Sequence, residues 1–90
     1  MEFSADRQRL DGPLALDCGR QLSQVDIAFE TYGRLSPARD NAVLLCHGLT
    51  ADQHAAGPAD PQNNRPGWWN AAIGPGKALD TDQFFIVSSN

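Results

Sequence analysis

The stretch Asn41-Ala-Val-Leu-Leu-Cys-His-Gly-Leu-Thr50 decides the fold class of this chain. Its apolar run, residues 42–46, ends abruptly at His47 and Gly48, and a long polar loop follows. An uninterrupted apolar run of this length is typical of a strand that is buried on both faces, as in a parallel sheet covered by helices. Ligands of such sheets bind just beyond the carboxyl ends of the strands. We therefore expect residues 47–50 to lie at a ligand-binding edge.

Upstream of this run, the sequence predicts a polar tail over residues 1–12 and an antiparallel hairpin over residues 13–33. In the hairpin, apolar and polar residues alternate on both sides of a turn at Gly19-Arg20, which is the period of a strand. The alternation predicts an apolar face and a wet face for the second strand. The apolar face would carry Val25, Ile27 and Phe29, and the wet face Asp26, Ala28 and Glu30.

Downstream, residues 47–67 show no sustained period and are rich in Ala, Gly, Pro, Asp and Asn. Loops of this length are uncommon in compact domains and often functional, so we interpret the segment as an active-site loop. Residues 68–73 are expected to form one or two helical turns, and residues 84–89 a second core strand. The predicted class is α/β, an antiparallel hairpin leading into a mostly parallel, incomplete sheet. Because the chain stops at a core strand, we interpret it as the amino-terminal segment of one longer domain.

Composition narrows the function classes. Ninety residues allow one small domain, and the net charge of −4 with a single lysine, Lys77, argues against a nucleic-acid surface. No apolar run is long enough for a signal-peptide core or a membrane span. Cys18 and Cys46 form no paired motif, so we expect reduced thiols and a cytoplasmic protein.

His47 and Gly48 at a strand end allow two interpretations. In many enzymes with the α/β-hydrolase fold, the loop after the third strand supplies one backbone N–H to the oxyanion hole. Glycine there lets the backbone approach a substrate without interference from a Cβ atom. Alternatively, the two residues only turn the chain. The residues by themselves favour neither interpretation.

Other candidate sites are weaker. The spacing of His47 and His54 matches no usual metal-ligand pair, so we expect one buried structural histidine, one loop histidine and no metal. Asp80 and Asp82 fit a capped, solvated turn better than an acid–base pair. None of the five serines lies in a Gly-x-Ser-x-Gly motif, so no nucleophile can be assigned.

A set of longer motifs resembles the homoserine O-acetyltransferases, and the resemblance covers roughly residues 14–90. The glycine–tryptophan and the glycine–proline–glycine segments are the most specific. In chain order, the motifs are Ile27-Ala-Phe-Glu-Thr-Tyr-Gly33, His47-Gly-Leu-Thr50, His54-Ala-Ala-Gly57, Gly67-Trp-Trp69, Gly74-Pro-Gly-Lys-Ala-Leu-Asp-Thr-Asp82 and Phe84-Phe-Ile-Val-Ser-Ser-Asn90.

The resemblance implies an α/β-hydrolase fold whose serine takes an acetyl or succinyl group from acyl-CoA and passes it to the hydroxyl of L-homoserine, in methionine biosynthesis. It implies that the Leu49 N–H forms one side of the oxyanion hole, with Gly48 and Thr50 shaping the loop. The Ser, Asp and His of the triad would lie downstream of this chain. No cofactor is implied beyond acyl-CoA as co-substrate, the partners are small molecules rather than nucleic acid or membrane, and the resemblance allows a homodimeric parent.

Two departures and two alternatives stay open. Ala51 and Asn70 stand where the family often has a glycine and an acidic residue. Ala51 would restrict the loop if that position needs a positive φ. One alternative is an esterase of the same fold, in which the acyl-enzyme passes to water. The other is a truncated fragment without catalytic activity, and we expect the ninety-residue chain alone to be inactive.

Overall fold

The computed structural model describes residues 1–90 and contains eight strands and no helix. Four strands have five or more residues and form one sheet, and the other four strands have two residues each. In chain order, the elements are β1 (Phe3–Arg9), β2 (Leu14–Ala15), β3 (Gln21–Leu22), β4 (Asp26–Tyr32), β5 (Ala42–Cys46), β6 (Ile73–Gly74), β7 (Leu79–Asp80) and β8 (Phe85–Ser89).

The main sheet has the strand order β1-β4-β8-β5. The β1/β4 and β4/β8 pairs are antiparallel, and β5/β8 is the parallel pair. The sheet is therefore mixed, and the prediction of a mostly parallel sheet is wrong for the residues of this chain. One parallel pair is nevertheless enough to bring the carboxyl ends of β5 and β8 to the same edge.

The predicted polar tail is also wrong, because residues 3–9 form the edge strand β1. All seven residues of β1 are exposed, so backbone hydrogen bonding rather than burial holds the strand in place. Two side-chain contacts support the pairing. The ring of Phe3 stacks on that of Tyr32 with centroids 5.9 Å apart, and Arg9 forms a two-hydrogen-bond ion pair with Asp26. Alternation of polar residues with Phe3 and Ala5 is too faint a pattern to have revealed this strand.

The predicted hairpin over residues 13–33 divides into two parts. Its turn carries only the short antiparallel bridge between β2 and β3. The long strand β4 instead pairs with β1 on one side and with β8 on the other. A central position in the sheet satisfies the backbone groups of β4 on both edges, which a two-stranded hairpin leaves half unpaired.

The core lies on one face of the main sheet. It contains six buried side chains, with Val43 and Leu79 packed against them: Tyr32, Leu45, Ala55, Ala56, Ile73 and Ile86. The opposite face is bare, and Leu44 on β5 is 67% exposed. Burial of β5 on both faces is therefore not observed, because no helix of this chain covers the second face.

The covering loop, which we define as residues 52–57, lies over the core face, and residues 67–69 pack on that loop through backbone hydrogen bonds. Residues 68–72 form successive turns rather than the predicted helical turns. The tight connection after β4 depends on Gly33, whose φ is +88°. A Cβ atom there would lie 2.4 Å from the carbonyl oxygen of Phe84, so no larger residue fits.

None of the structural elements is a helix that could cross a membrane.

Candidate functional site

The sheet edge at the carboxyl ends of β5 and β8 brings two loop segments together. Cys46 lies opposite Ser89 in the parallel register, so residues 47–50 and Asn90 leave the sheet side by side. The two segments are in direct contact, because the Nε2 atom of His47 lies 2.8 Å from Oδ1 of Asn90. This is the edge at which the sequence predicts ligand binding.

The loop at this edge presents unpaired backbone donors. A turn is closed by a 3.1 Å hydrogen bond from the Ala51 N–H to the Gly48 carbonyl. The N–H groups of Gly48, Leu49 and Thr50 donate no hydrogen bond to any group of the chain. Leu49 is fully exposed. Backbone donors that are held in place but unpaired can stabilise an oxyanion, each with about 3–4 kcal/mol in known acyl-transfer sites.

Gly48 is not required by the packing or the conformation of its own loop. A Cβ atom at this position would meet nothing within 4 Å, and the φ of Gly48 lies outside the left-handed region. The turn at residues 48–51 therefore does not by itself require a glycine at position 48. Ala51 also has a φ outside the left-handed region, so the departure at this position does not strain the loop.

Behind the edge, the phenol of Tyr32 holds the covering loop. Its oxygen accepts hydrogen bonds from the N–H groups of Ala55 at 3.0 Å and Ala56 at 3.2 Å, and its O–H donates to the Glu30 carboxylate. Tyr32 is completely buried. Burial and the hydrogen bond to Glu30 raise the pKa of the Tyr32 hydroxyl above its usual range. The phenol thus remains neutral and keeps its full set of hydrogen bonds.

Glu30 and His54 form a buried pair beside this phenol. Nδ1 of His54 lies 3.0 and 3.2 Å from the two carboxylate oxygens of Glu30, and its Nε2 lies 2.9 Å from the carbonyl oxygen of Pro58. Both ring nitrogens face acceptors, so both must donate and the ring is an imidazolium. Burial lowers the pKa of His54, but the hydrogen bonds to Glu30 and Pro58 outweigh it, so the pKa is raised overall.

This network corrects one prediction. Glu30, expected on a wet face, is 7% exposed, because the covering loop packs on the side of β4 that carries Glu30 and Tyr32. Of the two histidines, His54 is the buried one, and His47 in the loop after β5 is partly exposed. Alternation alone could not reveal this, since an acidic residue in a strand normally faces water. The only available signal was that Glu30, Tyr32 and His54 all lie within the quoted motifs.

The Gly-Trp-Trp segment anchors the covering loop from outside. The N–H groups of Trp68 and Trp69 donate to the carbonyls of His54 at 3.1 Å and Ala55 at 2.8 Å. Gly67 lies so close to the loop that a Cβ atom would be 2.3 Å from Cα of Ala56. The two indole rings stack with centroids 5.7 Å apart, and the Trp68 indole N–H donates to the Asp52 carbonyl at 2.8 Å.

Asp80 caps a turn, as predicted. One oxygen of its carboxylate accepts hydrogen bonds from the N–H groups of Gly76 and Asp82, both at 3.0 Å. These bonds lower the pKa of the Asp80 carboxyl group. Asp82 is exposed and makes no side-chain hydrogen bond, so the two carboxylates do not form an acid–base pair.

Ser88 is the one serine that lies in the core. It is completely buried on β8, between Leu45 on β5 and Glu30 on β4, and its hydroxyl has no hydrogen-bond partner. A nucleophile must reach its substrate and a base. The Ser88 hydroxyl is buried and reaches neither, so Ser88 is not placed to act as a nucleophile.

Two cavities lie near the covering loop. The larger, about 660 Å³, runs between β1, β4 and residues 53–62, and none of residues 47–50 lines it. The smaller, about 190 Å³, is lined by Thr50 together with Arg65 and Trp68. Only the smaller cavity therefore adjoins the loop with the free backbone donors.

No family model matches the chain. A homoserine O-succinyltransferase of Ectopseudomonas mendocina (strain ymp) is 54% identical over 82 residues, which is 91% of this chain and 22% of that protein. A homoserine O-acetyltransferase of Symbiobacterium thermophilum is 51% identical over 80 residues, which is 89% of this chain and 21% of that protein.

The chain is homologous to the homoserine O-acyltransferases. The resemblance inferred from the motifs is thereby confirmed. The chain spans about a fifth of the length of the curated relatives it matches.

Solved structures give the same relationship. A homoserine O-acetyltransferase from Bacillus anthracis superposes with a TM-score of 0.86 at 36% identity, covering 100% of this chain and 24% of that one. A crystallised esterase superposes with the same TM-score at 34% identity, covering 99% of this chain and 24% of that one. These neighbours support the α/β-hydrolase class. The part of that fold present in this chain has a mixed sheet and no helix.

Proposed function

We propose that this chain is the amino-terminal segment of a homoserine O-acyltransferase with an α/β-hydrolase fold. The enzyme moves an acetyl or succinyl group from acyl-CoA to the hydroxyl of L-homoserine through a serine acyl-enzyme, as a step of methionine biosynthesis. The observation that carries the proposal is 54% identity to a homoserine O-succinyltransferase over 91% of the chain. The chain covers about a fifth of these relatives, so the proposed activity is that of the whole enzyme to which the segment belongs.

Within this enzyme, the segment supplies one wall of the active site. The Leu49 N–H donates to the oxygen on which negative charge develops in the tetrahedral intermediate. Gly48 keeps the approach to that N–H open, and Thr50 shapes the loop beside it. Support comes from the unpaired N–H groups at this edge and from the open space in front of Gly48. The catalytic Ser, Asp and His belong to residues outside this segment.

The acyl donor is acetyl-CoA or succinyl-CoA. Relatives that carry the two names are nearly equally similar to the chain, at 54% and 51% identity. Acyl-CoA serves as a co-substrate and no cofactor takes part. We place the enzyme in the cytoplasm, acting on small molecules rather than on nucleic acid or membrane, with a homodimer as one allowed assembly.

The test uses the full-length enzyme that carries this segment. It is incubated with L-homoserine and either acetyl-CoA or succinyl-CoA, and O-acyl-homoserine is measured by mass spectrometry. Direct detection of the product is preferable to a thiol reagent, because Cys18 and Cys46 are exposed, free thiols that would react with it. We expect product with one donor. Absence of product with both donors would overturn the proposal.

An esterase is the second candidate, since a crystallised esterase superposes as closely as the acetyltransferase. The discriminating measurement is the fate of the acyl group from a p-nitrophenyl ester, with and without L-homoserine. Transfer to homoserine in preference to water supports the acyltransferase, and hydrolysis that homoserine leaves unchanged supports the esterase. The ninety-residue chain alone is expected to release no product above background in either assay, and turnover by it would contradict a triad outside the segment.

A further inference from the structure

We propose that His47 is a positioning residue that fixes the direction of the Leu49 N–H. The inference rests on the proposed function, because it explains how the chain holds the donor that the function requires. His47 itself would touch neither the substrate nor the reacting atoms. It would act through the peptide unit that joins Gly48 to Leu49.

The ring of His47 contacts this peptide unit directly. Nδ1 of His47 lies 2.7 Å from the carbonyl oxygen of Gly48. A carbonyl oxygen only accepts, so Nδ1 carries the proton and donates. The Gly48 carbonyl and the Leu49 N–H belong to one planar trans peptide, in which the two bonds point in opposite directions. The hydrogen bond that holds the carbonyl therefore also directs the N–H, away from the ring.

The ring of His47 is itself anchored by Asn90. Nε2 of His47 lies 2.8 Å from the carboxamide of Asn90, which follows β8. This is a hydrogen-bond distance, so the Asn90 side chain restrains the ring. The Asn90 backbone is held in turn, because its N–H donates to the Ala28 carbonyl at 2.9 Å. The ring thus connects the loop to the neighbouring strand.

Gly48 does not hold this peptide in place through its own packing. Gly48 has no Cβ atom and contacts nothing on that side, so its own packing does not limit the rotation of the peptide. A preorganised oxyanion donor has to keep its direction before the charge develops. The imidazole restrains the Gly48 carbonyl from one side, in addition to the Ala51 N–H that donates to the same oxygen.

The same geometry separates positioning from acid–base catalysis. Both ring nitrogens of His47 are engaged, one with Gly48 and one with Asn90. Neither nitrogen is free to take a proton from a substrate hydroxyl. A substitution of His47 should therefore lower kcat without removing an ionisation from the pH–rate profile, and it should leave KM for acyl-CoA nearly unchanged.

Three variants of the full-length enzyme test the inference. His47→Asn keeps an amide donor near the place of Nδ1, His47→Gln keeps one near the place of Nε2, and His47→Ala removes both. We expect kcat to fall roughly 10- to 100-fold in His47→Gln and His47→Ala, since small misplacements of catalytic groups cost factors of this size. His47→Asn should stay within about fivefold of wild type. Thermal melts of all three variants show whether folding is intact.

Results of three kinds would overturn the inference. They are wild-type kcat in His47→Gln, a loss in His47→Asn as large as in His47→Ala, or a loss confined to KM. If the wild-type enzyme forms no acyl-homoserine, the proposed function fails, and the positioning role is then judged by ¹⁵N NMR. Protonated Nδ1 in wild type, with a Leu49 amide shift that moves in His47→Gln and not in His47→Asn, supports positioning; the opposite pattern overturns it.

Discussion

Nδ1 of His54 lies 3.0 Å from Oε2 of Glu30, and the two side chains are only 10% and 9% exposed. The pair crosses from β4 to the covering loop, where Tyr32 also binds the backbone. A chain with no helix and only thirteen buried residues depends strongly on such contacts. The network therefore fixes the covering loop, which closely follows residues 48–50 and their unpaired N–H groups.

Replacing Glu30 by Gln should lower the free energy of unfolding by roughly 1.5–3 kcal/mol, the usual worth of hydrogen bonds to a charged group. The substitution keeps the shape of the side chain but leaves the His54 imidazolium without its counter-charge. Urea denaturation followed by circular dichroism measures the change. A value indistinguishable from wild type would mean that the pair does not hold the loop.

Glu2 provides the matched control for Glu30. Its carboxylate pairs with Arg34, but the two side chains are 60% and 80% exposed, so water screens the interaction. Glu2→Gln makes the same chemical change at the surface and should leave the stability nearly unchanged. Equal effects at both positions would show that burial of the Glu30 pair is not what matters.

The stability of the fold should fall as the pH rises through the folded-state pKa of His54. That pKa is raised above its ordinary value of 6.5, so the folded state holds the proton more tightly than the unfolded state. The resulting stabilisation is fully present below pH 6.5 and is lost at higher pH. Melting temperatures of wild type and His54→Gln should therefore differ most near pH 6 and converge toward pH 9. A difference that grows with pH would contradict the assigned imidazolium.

Gly67→Ala should disrupt the packing of the Gly-Trp-Trp segment on the covering loop. The added Cβ atom would lie 2.3 Å from backbone atoms of Ala56, so one of the two segments must move. Overpacking of this kind typically costs about 1–3 kcal/mol. The shift should appear in the melting temperature and as a loss of near-ultraviolet signal from the stacked indoles. Wild-type stability in this variant would show that the close approach is not retained in solution.

The motifs were sufficient to predict the family, the β5 run and the capped turn at Asp80, because each depends on residues close together in the sequence. The partners of β4 were not predictable in this way. β1 contributes no buried residue, and its pairing depends on backbone groups that every residue carries. Hydrophobic alternation depends only on side chains, so it does not reveal an edge strand whose residues are all exposed.

The free donor at Leu49 was predicted from the resemblance, but its surroundings were not. The polarity of Glu30 placed it on the wet face, whereas a long-range partner, His54, stabilises it inside. Pairing between residues 24 positions apart is a property of the folded chain, and neither residue type signals it alone. The motifs that carry the resemblance include Glu30, Tyr32 and His54, but they do not show that these side chains contact one another.

In the full-length enzyme, Gly12→Ala should lower stability without lowering activity, and Gly48→Ala should lower activity without lowering stability. A Cβ atom meets nothing within 4 Å at either position, but Gly12 has a φ of +80° and Gly48 lies outside the left-handed region. Gly12→Ala should therefore cost about 1–2 kcal/mol of stability through backbone strain and leave kcat unchanged. Gly48→Ala should change stability by less than about 0.5 kcal/mol, since nothing in the chain resists the methyl group.

The methyl group of Gly48→Ala would instead occupy the space through which a substrate reaches the Leu49 N–H. We expect kcat for acyl transfer to fall roughly 10- to 100-fold, because displacement of the substrate by about 1 Å from its donor has effects of this size. Steady-state kinetics and a thermal melt on each variant separate loss of stability from loss of function. Full activity in Gly48→Ala would place the substrate elsewhere on the sheet edge and remove the reason for a glycine at this position.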